Sequence, residues 1–212
     1  MNFRSKKKKG FSLVELLVVV SIFLIITAVT LFKQSKFSSD ILITNTAYEV
    51  ALSIREAQVF GVGSKQSDIG TQGYGVYFSE GFDGAHYIMY SETPNSDGTY
   101  EFTYEPADPS EKYTDIKGEI RLGREQTILD VCGIPNGGDE NDMRCFSTND
   151  LSSLNIGFVK PNLYAILNGD SESFERARII VASSLGDKCR TVEVNHIGQI
   201  SVKAIEAGET GC

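Results

Sequence analysis

The residue that asks most plainly for a chemical explanation is Glu15. It sits inside Phe11–Phe32, FSLVELLVVVSIFLIITAVTLF, a run otherwise without charge. A carboxylate at membrane depth costs a few kcal/mol, about 2.5–3.5 on insertion scales, so it is read first as functional. Five residues before it stands Gly10, at the junction between the basic stretch Lys6–Lys9 and the apolar run, and Phe11 follows directly.

The other chemistry-bearing residues lie far along the chain. Cys132, Cys145, Cys189 and Cys212 all fall in the second half. Four cysteines allow three pairings. We expect Cys132 with Cys145, closing a short Gly-rich acidic loop, and Cys189 with Cys212, tying down a C-terminus that would otherwise fray. The segment Gly137-Gly138-Asp139-Glu140-Asn141-Asp142 offers Asp139, Glu140 and Asp142 as oxygen ligands of the kind Ca2+ takes. It does not follow the EF-hand spacing, and acidic loops are usually just solvated. No cofactor is expected, Ca2+ being the one ion this loop could hold. His86 and His196 stand alone and read as structural. Nucleophile-elbow, Walker A, zinc-protease and C-x-x-C motifs are all missing from the sequence, so no catalytic role is expected.

The elements that must carry these residues follow from patterning. Phe11–Phe32 is 22 residues long, and about 20 apolar residues in a helix cross a bilayer core. Lipid leaves a single span no option but helix. Lysines are denser before the run than after it, which keeps the N-terminus cytoplasmic and translocates the rest. A secretory signal would have a shorter apolar stretch and a small-residue cleavage site. From Lys33 to Phe60 neither proline nor glycine interrupts the chain, and Ile43, Ala47, Val50, Ala51, Ile54 and Ala57 follow helical spacing. Gly61 and Gly63 mark the stop. The expected helix would be about 75 Å long, with its second half packed under a head.

Beyond residue 60 short β-rich runs alternate with turns. Expected strands are Gly75–Phe78, His86–Tyr90, Tyr100–Tyr104, Ile116–Leu122, Ile156–Val159, Ala177–Ala182, Arg190–Val194 and Gln199–Lys203. Ser96-Asp97-Gly98 should join the second and third as a hairpin, and Val194–Gly198 should join the last two. Residues 105–115 and 133–155 read as exposed loops. The fold class is α+β: a long N-terminal helix on an antiparallel head. The chain divides as a basic leader 1–10, a spanning helix 11–32, its amphipathic continuation 33–60 and a β-rich head 61–212.

The formal charge of −8 hides an asymmetry. Residues 1–10 carry five basic side chains and no acid, so 15 basic residues face 28 acidic ones over the remainder, a balance of −13. A body this acidic repels phosphate backbones and argues against nucleic acid as a partner.

The segment K-K-K-K-G-F-S-L-V-E-L-L-V-V-V-S-I resembles the leader and N-terminal methylation motif of type IV pilins and type II secretion pseudopilins. The resemblance implies cleavage between Gly10 and Phe11 by prepilin peptidase and N-methylation of Phe11. It implies that Glu15, the fifth mature residue, neutralises the Phe11 amine of a neighbouring subunit during assembly. The implied partners are other pilin subunits, prepilin peptidase, an assembly platform and ATPase, and the membrane. The implied location is the inner membrane, single-pass with the head outside the cytoplasm, and then a pilus or pseudopilus. A looser likeness joins Leu52–Gln58 with Tyr74–Phe78, and Cys189–Val194 with Gly198–Ile200, to the H-class minor pseudopilins and FimT-like minor pilins. It implies a two-sheet head and an alternative role as a minor tip subunit that binds secreted cargo, or DNA for uptake.

Overall fold

The computed structural model describes residues 10–63, 72–104, 113–123, 126–170, 172–183 and 188–205. It begins with one helix, α1, Leu13–Gly63. Ten strands follow: β1 Gly73–Ser79, β2 His86–Glu92, β3 Tyr113–Arg121, β4 Gln126–Pro135, β5 Arg144–Cys145, β6 Ser153–Phe158, β7 Ile166–Asn168, β8 Phe174–Ser183, β9 Cys189–Asn195 and β10 Ile200–Ala204. They form two antiparallel sheets of five, ordered β3-β2-β1-β6-β7 and β10-β9-β8-β4-β5. The fold is α+β with a long N-terminal helix. The chain divides into two units, Met1–Asp40 and Ile41–Cys212, each described by itself.

In the second unit, helix and sheets share one core. Ile43, Ala47, Val50, Ala51, Ile54 and Ala57 are all buried, so the helical stripe read from the sequence is the face that packs. They meet Val76, Phe78 and Met89 of the first sheet and Val131, Ile179 and Val192 of the second. Four of the six helical core positions are Ala or Val, whose short side chains let the sheets approach closely. At the helix end Gly61 lies so near β6 that an added Cβ would stand 2.3 Å from the Phe158 carbonyl oxygen.

The first sheet is covered on both faces, which explains the nearly unbroken burial of β1 and β2. Alternate strand residues point to opposite faces. Val76, Phe78 and Met89 enter the helix core, while Tyr77, Ile88 and Tyr90 join a second cluster with Phe102 and Tyr104. This corrects the strand expected at Tyr100–Tyr104. The Ser96-Asp97-Gly98 turn does form, with Gly98 N donating to Asn95 O at 2.9 Å, but β2 pairs with β1 and β3 instead. The 100–104 segment lies across the sheet as a lid. The fully buried Glu92 carboxylate accepts Glu101 N at 3.0 Å and Phe102 N at 2.9 Å. Asn155 Oδ1 accepts Tyr104 N at 3.2 Å and the Tyr90 hydroxyl at 2.9 Å. Side chains thus supply the partners a ladder would have supplied. Gly157 is the seat of the Phe102 ring, since a Cβ there would meet the ring at 2.2 Å.

The expected loop at 133–155 is also corrected. β4 runs on to Pro135, β5 pairs Cys132 with Cys145 and Gly133 with Arg144, and β6 begins at Ser153. Of the expected loop 105–115, residues 105–112 lie outside the described residues, and 113–115 belong to β3. The last hairpin forms as expected: Asn195 N donates to Gln199 O and Gly198 N to Asn195 O. Gly198 holds φ +81 there, a left-handed conformation that favours glycine.

Candidate functional site

The candidate site is the N-terminal unit. Gly10 is exposed, and an added Cβ there would meet nothing within 4 Å among the described residues. Phe11 is likewise exposed. The helix begins two residues later, and Ser12 O accepts the first bond, from Leu16 N at 3.1 Å. Glu15 falls in the first turn. A carboxylate is favoured there, because the aligned peptide dipoles leave partial positive charge at a helix N-terminus.

Leu13–Leu31 is long and apolar enough to cross a membrane, with mean hydropathy 2.7 over 19 residues and none of it buried among the described residues. At 1.5 Å per residue it spans about 28 Å, close to the ~30 Å hydrocarbon core. Its hydroxyls are satisfied within the helix. Ser21 donates to Val18 O at 2.8 Å, Thr27 to Phe23 O at 2.7 Å, and Thr30 to Ile26 O at 3.0 Å. Glu15 is the one ionisable side chain of this stretch. Its large apolar side chains are exposed on every side, as suits a helix with an apolar surrounding.

A feature that the sequence reading missed lies on the part of α1 within the second unit. Ile41, Tyr48, Leu52 and Val59 are exposed large apolar residues, with Leu52 65% exposed. At 100° per residue the four fall within about 20° of one line along the helix. That line is opposite the buried stripe. The same periodicity test, applied at the opposite phase, would have found it.

The remaining candidates are dispersed. Cys132 and Cys145 form a disulfide. Cys189 is also disulfide-bonded, and Cys212 lies outside the described residues. Asp130, Cys132 and Cys145 come together, but the bridge leaves the two sulfurs no free thiolate to offer a metal. Asp139, Glu140 and Asp142 form a capped 3-10 turn. Asp139 Oδ1 accepts Asn141 N at 2.7 Å, Asp142 Oδ2 accepts Asp139 N at 3.1 Å, and Glu140 pairs with Arg178. His86 stacks on Phe82, with Glu119 3.8 Å from its Nε2. His196 lies 3.9 Å from Glu175.

Residues 5–31 match the prokaryotic N-terminal methylation motif. The chain therefore carries the N-terminal signal of type IV pilin-like substrates of prepilin peptidase. The match places Gly10, Phe11 and Glu15 within one motif at the head of an apolar helix, and motif and helix together point to membrane anchoring. It does not extend into the head, so the H-class likeness rests on the head sequence alone. No curated protein and no solved structure matches the chain.

Proposed function

We propose that this protein is a subunit of a type IV pilus or a type II secretion pseudopilus. Prepilin peptidase cuts it between Gly10 and Phe11, and the new Phe11 amine is methylated. The chain waits in the inner membrane with its head outside the cytoplasm. An assembly ATPase and platform protein then draw it into a helical filament with other pilin subunits.

The observation that carries this reading is the methylation motif at residues 5–31, which runs into the stretch Leu13–Leu31, whose large apolar side chains are exposed. The exposed line Ile41–Tyr48–Leu52–Val59 supports it, because a chain with apolar residues on both faces of its helix is suited to lateral neighbours. In the filament the Glu15 carboxylate of one subunit meets the Phe11 amine of another. The pairing fixes an axial register because each charge is costly without the other. Intact-mass analysis of the protein from cells that contain prepilin peptidase tests the reading. The expected product lacks residues 1–10 and carries one added methyl group. A mature chain that begins at Met1, or is cut near Ala28, would overturn it.

A further inference from the structure

A cleft of about 340 Å3 opens where the first sheet meets the second. Its lining includes Phe78, Ile128 and Val131, which are buried, and Leu129, Phe146 and Ser147, which are partly or largely exposed. The turn after β1, which carries Glu80 and Asp83, also lines it. The lining is held from several directions. Gly84 O accepts Ile128 N at 2.9 Å and the Thr127 hydroxyl at 3.2 Å, which joins the turn to β4. Ser147 donates to both oxygens of Asp130, from its N at 3.1 Å and its hydroxyl at 2.5 Å, and the Cys132–Cys145 bridge anchors the same segment. A cleft held in this way needs little reorganisation to receive a ligand.

Two further observations define the chemistry. The β4–β8 ladder shifts register between Ile128 and Asp130, so Leu129 is a bulged residue without a partner. Bulges re-aim side chains. This one presents Leu129, 46% exposed, at the cleft. Glu80 and Asp83 have no ion-pair partner among the described residues; His86, the one basic side chain in the lining, lies 3.8 Å from Glu119, and neither lysine nor arginine lines the cleft. The site thus offers apolar surface beside two uncompensated negative charges.

We propose that this cleft binds a peptide segment of another protein, one that carries an arginine or lysine next to an aliphatic residue. The cation meets Glu80 and Asp83, and the aliphatic neighbour covers Leu129 and Phe146. Such a partner matches both halves of the site, whereas an anionic ligand would oppose the carboxylates and a bare polyamine would leave the apolar half uncovered. The assignment does not depend on the filament reading.

The test uses the full-length chain in detergent micelles with 13C-labelled Ile, Leu and Val methyls. The probes are acetyl-Leu-Arg-amide, acetyl-Leu-Glu-amide and spermidine. Saturable shifts at the Ile128, Leu129 and Val131 methyls with the Leu-Arg probe are expected, and none with Leu-Glu. The double variant Glu80→Gln/Asp83→Asn should bind at least tenfold more weakly. Both side chains are exposed, and asparagine tolerates the φ of 49° at Asp83, so the fold should persist, as the remaining methyl signals would report. Non-saturating shifts, equal response to Leu-Glu, or unchanged binding by the double variant would overturn the proposal. Spermidine binding as tightly as the dipeptide would overturn its peptide half.

Discussion

Replacing Glu15 by alanine should separate membrane residence from assembly. Glu15 stands 28 positions before Ile43, the first buried residue of the helical core stripe, and its side chain is exposed. The head should therefore fold as in the parent chain. The local cost is small: loss of a favourable end-of-helix charge, about 0.3–1 kcal/mol, offset in part by the higher helix propensity of alanine. Membrane insertion should become easier, because the substitution removes the one ionisable group of Leu13–Leu31. In the filament the balance reverses. The Phe11 amine of a neighbour would be buried without a partner, and breaking one side of a buried ion pair costs about 3–5 kcal/mol. At about 1.4 kcal/mol per tenfold, each subunit addition should weaken by roughly a hundred- to several-thousand-fold. Glu15→Gln should fail in the same way, since it keeps the shape and loses the charge. The assay compares sheared filaments with membrane-resident protein, by immunoblot, for parent and variants. Filament yield equal to the parent at equal membrane level would refute the reasoning and leave the carboxylate without a role in register.

Three further outcomes follow from the head. Removing the Cys132–Cys145 bridge with a double alanine substitution should destabilise the head by about 3 kcal/mol, from loop entropy over a separation of 13 residues, read as a lower denaturation midpoint. Ile54→Ala should cost about 2–5 kcal/mol, because Ile54 is fully buried against both sheets, whereas Leu52→Ala on the opposite face should stay within about 0.5 kcal/mol; urea unfolding of the two variants makes the comparison. Acid should weaken the head through Glu193 and Asp170. Burial pushes the Glu193 carboxyl up, but Lys203 at 3.0 Å and Arg178 at 3.2 Å outweigh it and hold it below the usual carboxylate range. Asp170 is likewise raised by burial and lowered further by the Ser153 hydroxyl and Ser152 N–H. Both folded values are depressed, so the stability they contribute is full above the ordinary carboxylate range and is lost as pH falls through the folded values. Thermal melts from pH 7 to pH 3 should show that loss, and Glu193→Gln should flatten the slope.

Much of this protein is local information. The N-terminal methylation motif is legible because basic stretch, glycine junction and apolar run follow one another directly along the chain. Helix α1 is legible because 3.6-residue periodicity needs no distant partner: the six apolar positions from Ile43 to Ala57 are those that become buried. Strands such as His86–Glu92 and Phe174–Ser183 announce themselves by β-branched and aromatic runs. β4 was lost because its core is broken into Ile128, an exposed Leu129 and a half-buried Asp130, a bulge that erases the alternation. β5 and β7 are too short, at two and three residues, to carry a pattern.

The segment Tyr100–Tyr104 shows where sequence runs out. Its composition is that of a strand, and its turn chemistry is that of a hairpin. Whether it pairs depends on which edge of β2 is free, and β1 and β3 take both. Glu92 and Asn155 then supply its backbone partners, and Gly157 the space for its ring. The sequence by itself determined the N-terminal motif, the helix and the face of that helix which packs. Only the tertiary structure decided the division into two sheets, the lid over the first, and the cleft beside Leu129. Those features arise from contacts between residues far apart in the chain, and a local pattern carries no record of which distant surface will meet it.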